Sequence, residues 1–323
     1  MRRRDLIGGL TAALLDVSGR AFSQEAPKLP RIGVLVSASP PHPFADAFRR
    51  GLRSFGYAER KNITLEFLYT DGRGDRAVDL AAELVRSRVD IIVAHFTPAT
   101  RAAMAATRTI PIVMAPAGAP LQQGLIDSLA RPGGNVTGLS QQLTPEIRAK
   151  QLQLIREVLP KASSVVVLWS SSTTVGLKEY EVAGQPLGLK IRFAQLKDRD
   201  DLPRVFAGIA SDRADAVLVP GDTLLFIERR RVVDLAREHR LPAMYSTREF
   251  TVEGGLMSYS ARLTEQFRSA ADYVDKILRG ATPATLPVES PSHYELAINL
   301  RTAKALGLVI PQALIIRADE VIR

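Results

Sequence analysis

Hydroxyl-bearing, aromatic and acidic side chains recur where predicted β-strands end. They follow apolar runs in the segments 37–42, 95–97, 116–119, 170–174, 221–223 and 245–249, and again at Tyr259. In open parallel α/β sheets, ligands bind beyond the carboxyl ends of the strands. Asp222 and Glu249 are the main acids of this set, and either can pair with an ammonium group. The composition predicts reversible binding of a small polar or zwitterionic molecule.

The hydroxyls of Ser39 and Thr97 suit the carboxylate of such a ligand, since both lie near predicted helix starts. Thr97 precedes Pro98, a residue that favours the first position of a helix. We therefore expect Thr97 to cap a helix that runs to about residue 107, leaving backbone N–H groups available to an anion.

Three aromatic residues, Phe96, Trp169 and Tyr245, can stack on a flat or apolar ligand body. The alternative is that Phe96 and Tyr245 pack at strand ends and that Trp169 belongs to the core. The complete set of candidate ligand contacts is Ser37, Ser39, His95, Phe96, Thr97, Ala117, Trp169, Ser170, Ser171, Asp222, Tyr245, Glu249 and Tyr259.

Motifs of catalysis are missing from the sequence. It contains no G-x-S-x-G elbow, no P-loop and no G-x-G-x-x-G, and the histidines at 42, 95, 239 and 293 do not have the spacing of metal ligands. We expect no catalytic residues, no metal and no cofactor. A nucleophile set of Ser170-Ser171-Ser172 with His95 and Asp222 across a cleft remains an alternative, although nothing in the sequence positions it.

Composition is that of a globular protein large enough for two domains. The chain has 323 residues, 46% of them hydrophobic and 24% charged. The absence of cysteine excludes thiol catalysis and a cysteine-linked lipid anchor on this chain. The net charge is +9, but the arginines at 229–231 are followed by Asp234 and Glu238, which favours a solvated helix face over a nucleic-acid surface.

The first residues have the charge order of an export signal. Three arginines at 2–4 precede a mildly apolar run to about Val17, and Ala21 to Ser23 supply small residues for cleavage. The arginines and the weak hydrophobicity resemble a twin-arginine signal. We assign residues 1–23 to the signal and expect a soluble, non-lipidated protein in the periplasm. The alternative is the frayed basic N-terminus of a cytoplasmic protein.

Strands and helices alternate twice along the chain, on either side of a turn at 131–135. Before the turn, strands are predicted at 31–36, 63–69, 90–94 and 110–114, and a further strand at 136–140 follows the turn. The second round has strands at 165–169, 191–194, 216–220 and 242–245, with helices at 145–158, 179–187, 202–210 and 227–239.

This rhythm predicts an α/β fold of two Rossmann-like lobes with parallel sheets, joined by a hinge of several crossovers. The expected N-terminal lobe comprises 31–143 plus 261–288, because the amphipathic helix at 263–279 is expected to pack back on it. The expected C-terminal lobe comprises 144–260 plus 289–323. A cleft between the lobes would hold the ligand.

Several blocks together resemble the ABC transporter substrate-binding protein family, whose members include TrpX-like tryptophan or tyrosine binders. The similarity covers essentially the whole chain after the signal. The blocks are RAVDLAAELV at 76–85, IPIV at 110–113, LARPGGNVTGLS at 129–140, RRR at 229–231, GGLMSY at 254–259, YVDKILRG at 273–280 and INLRTAKALG at 298–307.

The resemblance implies a type I periplasmic binding protein that closes two lobes on a solute and delivers it to an ABC permease in the inner membrane. It also implies that Ser39, Thr97, Asp222 and Tyr259 line the cleft. The predicted partners are therefore a small-molecule solute and the permease. We expect a monomer and no nucleic acid.

Three strand ends depart from the family pattern. The chain has Gly118-Ala119-Pro120-Leu121 where relatives read G-D-P-V, so a carboxylate is missing. It has Trp169-Ser170-Ser171 where they read W-N-P, and His95-Phe96-Thr97 where they read G-T. His95 and Phe96 favour a bulkier or aromatic solute.

Other classes share this architecture. A periplasmic sensor subunit would use the same cleft but report to a receptor kinase. A hydrolase-like α/β enzyme would need a reaction centre that the strand ends do not display. The effector domain of a repressor would need a helix-turn-helix segment, and none precedes Arg31.

Overall fold

The computed structural model describes residues 29–40, 42–141, 143–170 and 176–323. The predicted signal at 1–23 and the candidate Ser171 lie outside these residues. Within them, two sheets form, each with helices packed on both faces. No helix in the described ranges is long and apolar enough to cross a membrane.

The first sheet has five strands in the order β2-β1-β3-β4-β5, all of them parallel. Its strands are β1 (Arg31–Val36), β2 (Thr64–Tyr69), β3 (Ile91–Ala94), β4 (Ile112–Ala117) and β5 (Val136–Ser140). The connecting helices are α1 (Pro43–Ser54), α2 (Arg76–Arg86) and α3 (Phe96–Ala106).

The second sheet has seven strands in the order β12-β11-β10-β9-β8-β6-β7. Its strands are β6 (Ser164–Ser170), β7 (Lys190–Leu196), β8 (Ala216–Val219), β9 (Ala243–Tyr245), β10 (Met257–Ser260), β11 (Glu295–Asn299) and β12 (Glu320–Ile322). The helices in this part of the chain are α4 (Pro145–Val158), α5 (Leu177–Gly184), α6 (Leu202–Ser211), α7 (Thr223–Ile227), α8 (Arg229–Glu238), α9 (Arg248–Val252), α10 (Leu263–Leu278), α11 (Leu300–Ala305) and α12 (Gln312–Arg317), of which all but α10 accompany the second sheet.

Helix α10 packs on the first sheet although it follows the last strand of the second round. Alternate residues of β1 point to opposite faces, so Val34 meets α1 and α10 whereas Leu35 meets α2 and α3. Gly51 permits close approach of α1 and α10, because a Cβ there would lie 2.4 Å from the carbonyl oxygen of Arg268. The prediction that this helix packs back on the first lobe agrees with these contacts.

The chain also returns to the outer edge of the first sheet after α10. The Thr137 hydroxyl donates to the carbonyl of Leu286 at 2.7 Å, and Leu139 forms an isolated parallel bridge with Glu289. The chain passes between the two sheets three times: after β5, after β10 and at the end of this returning segment. These contacts support several crossovers, while the exact lobe boundaries remain a prediction.

Some elements differ from the sequence prediction. The helix expected at 227–239 is α8, which begins two residues later, and the separate short helix α7 before it, capped by Asp222, was not predicted. The short elements α9, α12, β11 and β12 were not predicted. Strand β11 runs antiparallel to β10, so the second sheet is predominantly rather than wholly parallel. Short edge elements carry too few residues to show a clear period.

Candidate functional site

A cleft of about 80 Å³ lies between the carboxyl ends of the two sheets. The loops after β3 and β4 form one wall, and the loops after β8 and β9 together with α4 and α5 form the other. The described residues that line it are Phe96, Thr97, Gly118, Ala119, Gln123, Gln141, Leu143, Arg148, Leu177, Tyr180, Pro220, Gly221, Asp222, Thr223, Phe226, Ser246, Thr247 and Phe250.

Thr97 lines the cleft, but it does not cap the helix that was predicted to begin there. Helix α3 begins one residue earlier, at Phe96, with His95 in the capping position. The Thr97 hydroxyl instead accepts a hydrogen bond from the backbone N–H of Gly118 at 3.1 Å and lies 3.4 Å from the Gly118 carbonyl oxygen. Thr97 therefore ties the loop after β3 to the loop after β4.

Phe96 occupies the left-handed backbone region, with φ of 67°. Bulky residues rarely adopt this conformation, and it is held only where the surrounding structure fixes it. The Phe96 ring is 7% exposed, stacks on His95 at 3.8 Å between ring centroids and lines the cleft. This backbone geometry places the ring in the lining of the cleft.

Asp222 joins the end of β6 to the start of α7. One of its carboxylate oxygens accepts from the backbone N–H of Ser170 at 3.1 Å and from the Ser170 hydroxyl at 2.6 Å. The other accepts from the N–H of Leu225 at 3.0 Å, which caps the helix. The carboxyl group is 5% exposed at the edge of the cleft, and three protein donors already meet it.

A buried polar network forms the opposite wall, and sequence reasoning missed it. The Gln151 amide donates to the Ser246 hydroxyl at 3.1 Å and to the Tyr259 carbonyl at 3.1 Å. The Tyr180 hydroxyl donates to the Gln151 carbonyl oxygen at 3.2 Å, and burial raises the pKa of Tyr180 above its usual value. The network fixes the positions of α4, α5 and the loop after β9.

Arg148 brings a cation into this wall. Its guanidinium donates to the Leu143 carbonyl and to Glu179, and it lies 5.5 Å from the centre of the Tyr180 ring. The residue is 6% exposed, and its Nε has no hydrogen-bond partner in the described structure. An unpaired buried N–H is costly, so this group invites an acceptor from a ligand.

The sequence did contain a signal for these residues. Positions 148, 151, 152 and 155 share one face of the α4 helix, and that face is buried. The prediction for this helix considered its apolar residues alone. Arg148 and Gln151 interrupt the apolar stripe, and buried polar residues at core positions are informative because they are uncommon.

An aromatic cluster connects the two sheets beside the cleft. Phe226, on α7, lies edge-on to Phe96 with ring centroids 5.2 Å apart. It also stacks on Phe44, on α1, at 6.2 Å. Both contacts join a helix of the second sheet to residues of the first, so the structure holds the cleft in a closed arrangement.

Two histidines lie behind Phe96 in the same cluster. Their ring centroids are 5.4 Å apart, and His95 is fully buried. Burial and the adjacent His42 hold the pKa of His95 well below its usual value. Burial and, secondarily, the charge of Arg229 lower the pKa of His42 to about 4. Both rings are therefore neutral at pH 7.

Several sequence candidates lie at strand ends without lining the cleft. Ser37 is buried, and its hydroxyl donates to the His95 carbonyl at 2.9 Å. Ala117 is buried and pairs with Ser140 at the end of β4. Ser39 is exposed. Trp169 is half-buried and lies opposite Gln195 on β7.

The remaining candidates pack elsewhere in the second sheet. Tyr245 is buried against Phe250, with ring centroids 4.7 Å apart, and its pKa is raised by burial. Burial also raises the pKa of Glu249, whose Oε2 has no partner among the described groups. Tyr259 stacks on Tyr294 at 5.9 Å. Of the predicted set, Phe96, Thr97 and Asp222 line the cavity together.

Of the imagined nucleophile set, Ser171 and Ser172 lie outside the described residues, and Ser170 is not assembled with His95. The Ser170 hydroxyl donates to Asp222 at 2.6 Å rather than to a histidine. Neither ring nitrogen of His95 has a hydrogen-bond partner in that part of the chain. A serine needs an adjacent base to act as a nucleophile.

Known proteins share this architecture and resemble the chain in sequence. The family model described as ABC transporter substrate binding protein matches residues 31–322. A curated relative, the tyrosine-binding protein of Clostridioides difficile, is 26% identical over 274 residues, which covers 83% of this chain and 78% of the relative.

Solved structures show the same fold. A domain from Streptococcus pneumoniae in complex with L-Trp superimposes with a TM-score of 0.84 at 27% identity, covering 91% of this chain and 100% of that chain. A conserved domain protein from Vibrio cholerae gives a TM-score of 0.84 at 28% identity, with the same shares covered. The fold is that of type I periplasmic binding proteins, and the matched family consists of binding proteins rather than enzymes. The chain belongs to the ABC transporter substrate-binding protein family.

Proposed function

We propose that the protein is the periplasmic solute-binding component of an ABC importer. It captures a small polar or aromatic solute, an amino acid or a related carboxylate, between its two lobes and delivers it to an inner-membrane permease. The observation that carries this proposal is the cleft at the carboxyl ends of both sheets, lined by aromatic rings, hydroxyls and a buried arginine.

The lining suits an aromatic solute in particular. The rings of Phe96, Phe226, Phe250 and Tyr180 border the cavity and can enclose a flat body. Two relatives, at 26% and 27% identity, carry tyrosine or L-Trp in their names as the bound ligand. Closure of the lobes would exclude water from the solute and present one joined surface to the permease.

The proposal also includes export of the protein to the periplasm and its contact with the permease. The predicted signal at 1–23 would send the protein to the periplasm, where a monomer would bind one solute and meet the permease. Loss of uptake of a labelled solute in a strain lacking the protein, restored by the intact gene, would support delivery. Unchanged uptake with intact solute binding would favour a sensing role instead.

Thermal unfolding tests solute capture directly. The protein is unfolded, freed of carried solute, refolded and melted against amino acids, aromatic acids, purines and sugars. A solute that binds the native state alone stabilises it by about 2.7 kcal/mol at a hundredfold excess over the dissociation constant. We expect a rise in midpoint with aromatic solutes.

The variant Phe96→Ala should lose most of this rise, because the ring borders the cavity. Phe193→Ala is the matched control, since Phe193 lies on β7 and is 37% exposed. Equal shifts in both variants, or chemical turnover of the bound solute by the purified protein, would contradict the proposal.

A further inference from the structure

The charged residues of the cleft differ in how many of their hydrogen-bonding atoms already have partners in the protein. Among the described lining residues, the charged ones are Arg148 and Asp222. Asp222 accepts three hydrogen bonds from Ser170 and Leu225, and these bonds anchor α7 to the end of β6. Its carboxylate is therefore committed to the fold.

Arg148 retains an unused donor. Its Nη1 is engaged by Leu143 and Glu179, whereas its Nε lacks a partner in the described structure. The Glu179 side chain is 43% exposed, so solvent weakens its compensation of the buried guanidinium charge. A positive charge and an unpaired N–H consequently lie within the wall of the cavity at α4.

Thr247 provides a second unsatisfied group in the same lining. It is 4% exposed, and its hydroxyl has no hydrogen-bond partner within the described segments. An arginine Nε can donate but not accept, and a hydroxyl can donate as well. Two buried donors without acceptors call for a ligand group that offers several acceptor oxygens.

A carboxylate is the group that meets both requirements, since it brings acceptor oxygens and a negative charge. An α-ammonium group would need acceptors and a negative charge, and the described lining offers Asp222, whose oxygens already meet three donors. The side chain of Ala119, on the facing wall, is a methyl group and provides no acceptor for an ammonium group.

Resting on the solute-binding function proposed above, we propose that the cleft selects an aromatic monocarboxylate that lacks an α-ammonium group. Arg148 and Thr247 hold the carboxylate, and the rings of Phe96 and Phe226 enclose the aromatic body. Zwitterionic aromatic amino acids bind more weakly because the described lining offers their ammonium group no carboxylate that is free of protein donors.

Matched pairs of ligands test this directly. Titration calorimetry on the refolded, ligand-free full chain compares 3-phenylpropionate with phenylalanine and indole-3-propionate with tryptophan. The uncharged 3-phenylpropionamide keeps the ring and a carbonyl acceptor and so reports binding without the negative charge. We expect each acid to bind about 10- to 100-fold more tightly than its amino-acid or amide counterpart, the range of one or two charge-assisted hydrogen bonds.

Variants assign the carboxylate contact. Arg148→Gln and Thr247→Val should each weaken binding of the acid by about tenfold or more and weaken binding of the uncharged amide much less. Arg156→Gln on the same helix is the matched control, because Arg156 donates to the Ala162 carbonyl and does not line the cleft. Thr247→Val keeps the test decisive if Arg148→Gln does not fold.

The outcomes separate the two proposals. Amino acids that bind as tightly as the acids would overturn this inference and leave the solute-binding function standing. The same is true of acid binding that survives both substitutions in folded protein. Failure of every aromatic probe to bind would contradict both the inference and the proposed aromatic solute class.

Discussion

His42 and His95 lie among aromatic rings, in an apolar site that disfavours their protonated forms. Phe44, Phe96 and Phe267 lie within 5.6 Å of one or the other imidazole, measured between centroids. Neither His95 nitrogen, nor Nδ1 of His42, has a partner among the described residues. Burial accordingly favours the neutral ring over the charged one.

Stability should fall as the pH drops from 6.5 towards 4. Above pH 6.5 the histidines are neutral in both folded and unfolded chains, so they add no pH dependence. Below it the unfolded chain takes up protons, whereas folded His42, with its pKa of about 4, does not. For His42 this destabilises the native state by on the order of 3 kcal/mol by pH 4.

Urea unfolding of His42→Phe at several pH values measures this contribution. The difference in unfolding free energy between wild type and variant should grow as the pH falls, because other titrating groups cancel. His293→Gln, at an exposed position, is the control and should track the wild type. Parallel curves for wild type and His42→Phe would show that His42 is not buried as described.

The same scale shows what the sequence could and could not predict about the site. Phe96, Thr97 and Asp222 were found because a parallel sheet places its strand ends at one edge. Arg148 and Thr247 were not found, since their importance lies in unsatisfied hydrogen bonds, which depend on neighbours distant in the chain. The role of Asp222 in the fold likewise depends on Ser170, 52 residues away.

Among the elements, those with strong local signals match the prediction. Helix α4 runs over Pro145–Val158 as predicted, because Pro145 favours its first turn and its apolar positions repeat with a helical period. Helix α7 was missed, since it has only five residues and its start depends on the cap at Asp222. Strand β11 was missed because its pairing partner, β10, determines it.

Helices α1 and α10 meet so closely that a methyl group at position 51 would disrupt them. A Cβ on Gly51 would lie 2.4 Å from the carbonyl oxygen of Arg268 and 2.8 Å from the Ala271 Cβ. We expect Gly51→Ala to lower the unfolding free energy by about 1–3 kcal/mol, the usual cost of overpacking.

Gly208→Ala is the matched control, as Gly208 lies inside helix α6 with nothing within 4 Å of a built Cβ. This change should stabilise the protein by about 0.5–1 kcal/mol, because alanine loses less conformational freedom than glycine in a helix. Chemical denaturation compares both variants. If Gly51→Ala is as stable as Gly208→Ala, the two helices do not approach as described.

At the scale of the molecule, Phe226 bridges the two lobes. Its ring meets Phe96 and Phe44, so closure buries apolar surface from both sides. We expect Phe226→Ala to shift the ligand-free protein towards open forms. Small-angle scattering should then show a larger radius of gyration, and solute affinity should fall by about tenfold or more.

Phe193→Ala again serves as the control, because it removes an exposed ring from β7. Scattering curves that coincide for wild type and both variants, with unchanged affinity, would show that the Phe226 contacts do not hold the lobes together.

The packing of α10 on the first sheet has a consequence for biosynthesis. The ribosome makes β1 first, yet the face of β1 that carries Val34 is covered partly by residues after Leu263. The elements from α4 to β10 are contiguous in the chain, so most of the second sheet can form as soon as they have been synthesised. Only its outer strands β11 and β12 are made later. The lobe synthesised first therefore completes its folding after the body of the lobe synthesised second, and a nascent chain halted before residue 263 would leave that sheet face as a binding site for chaperones.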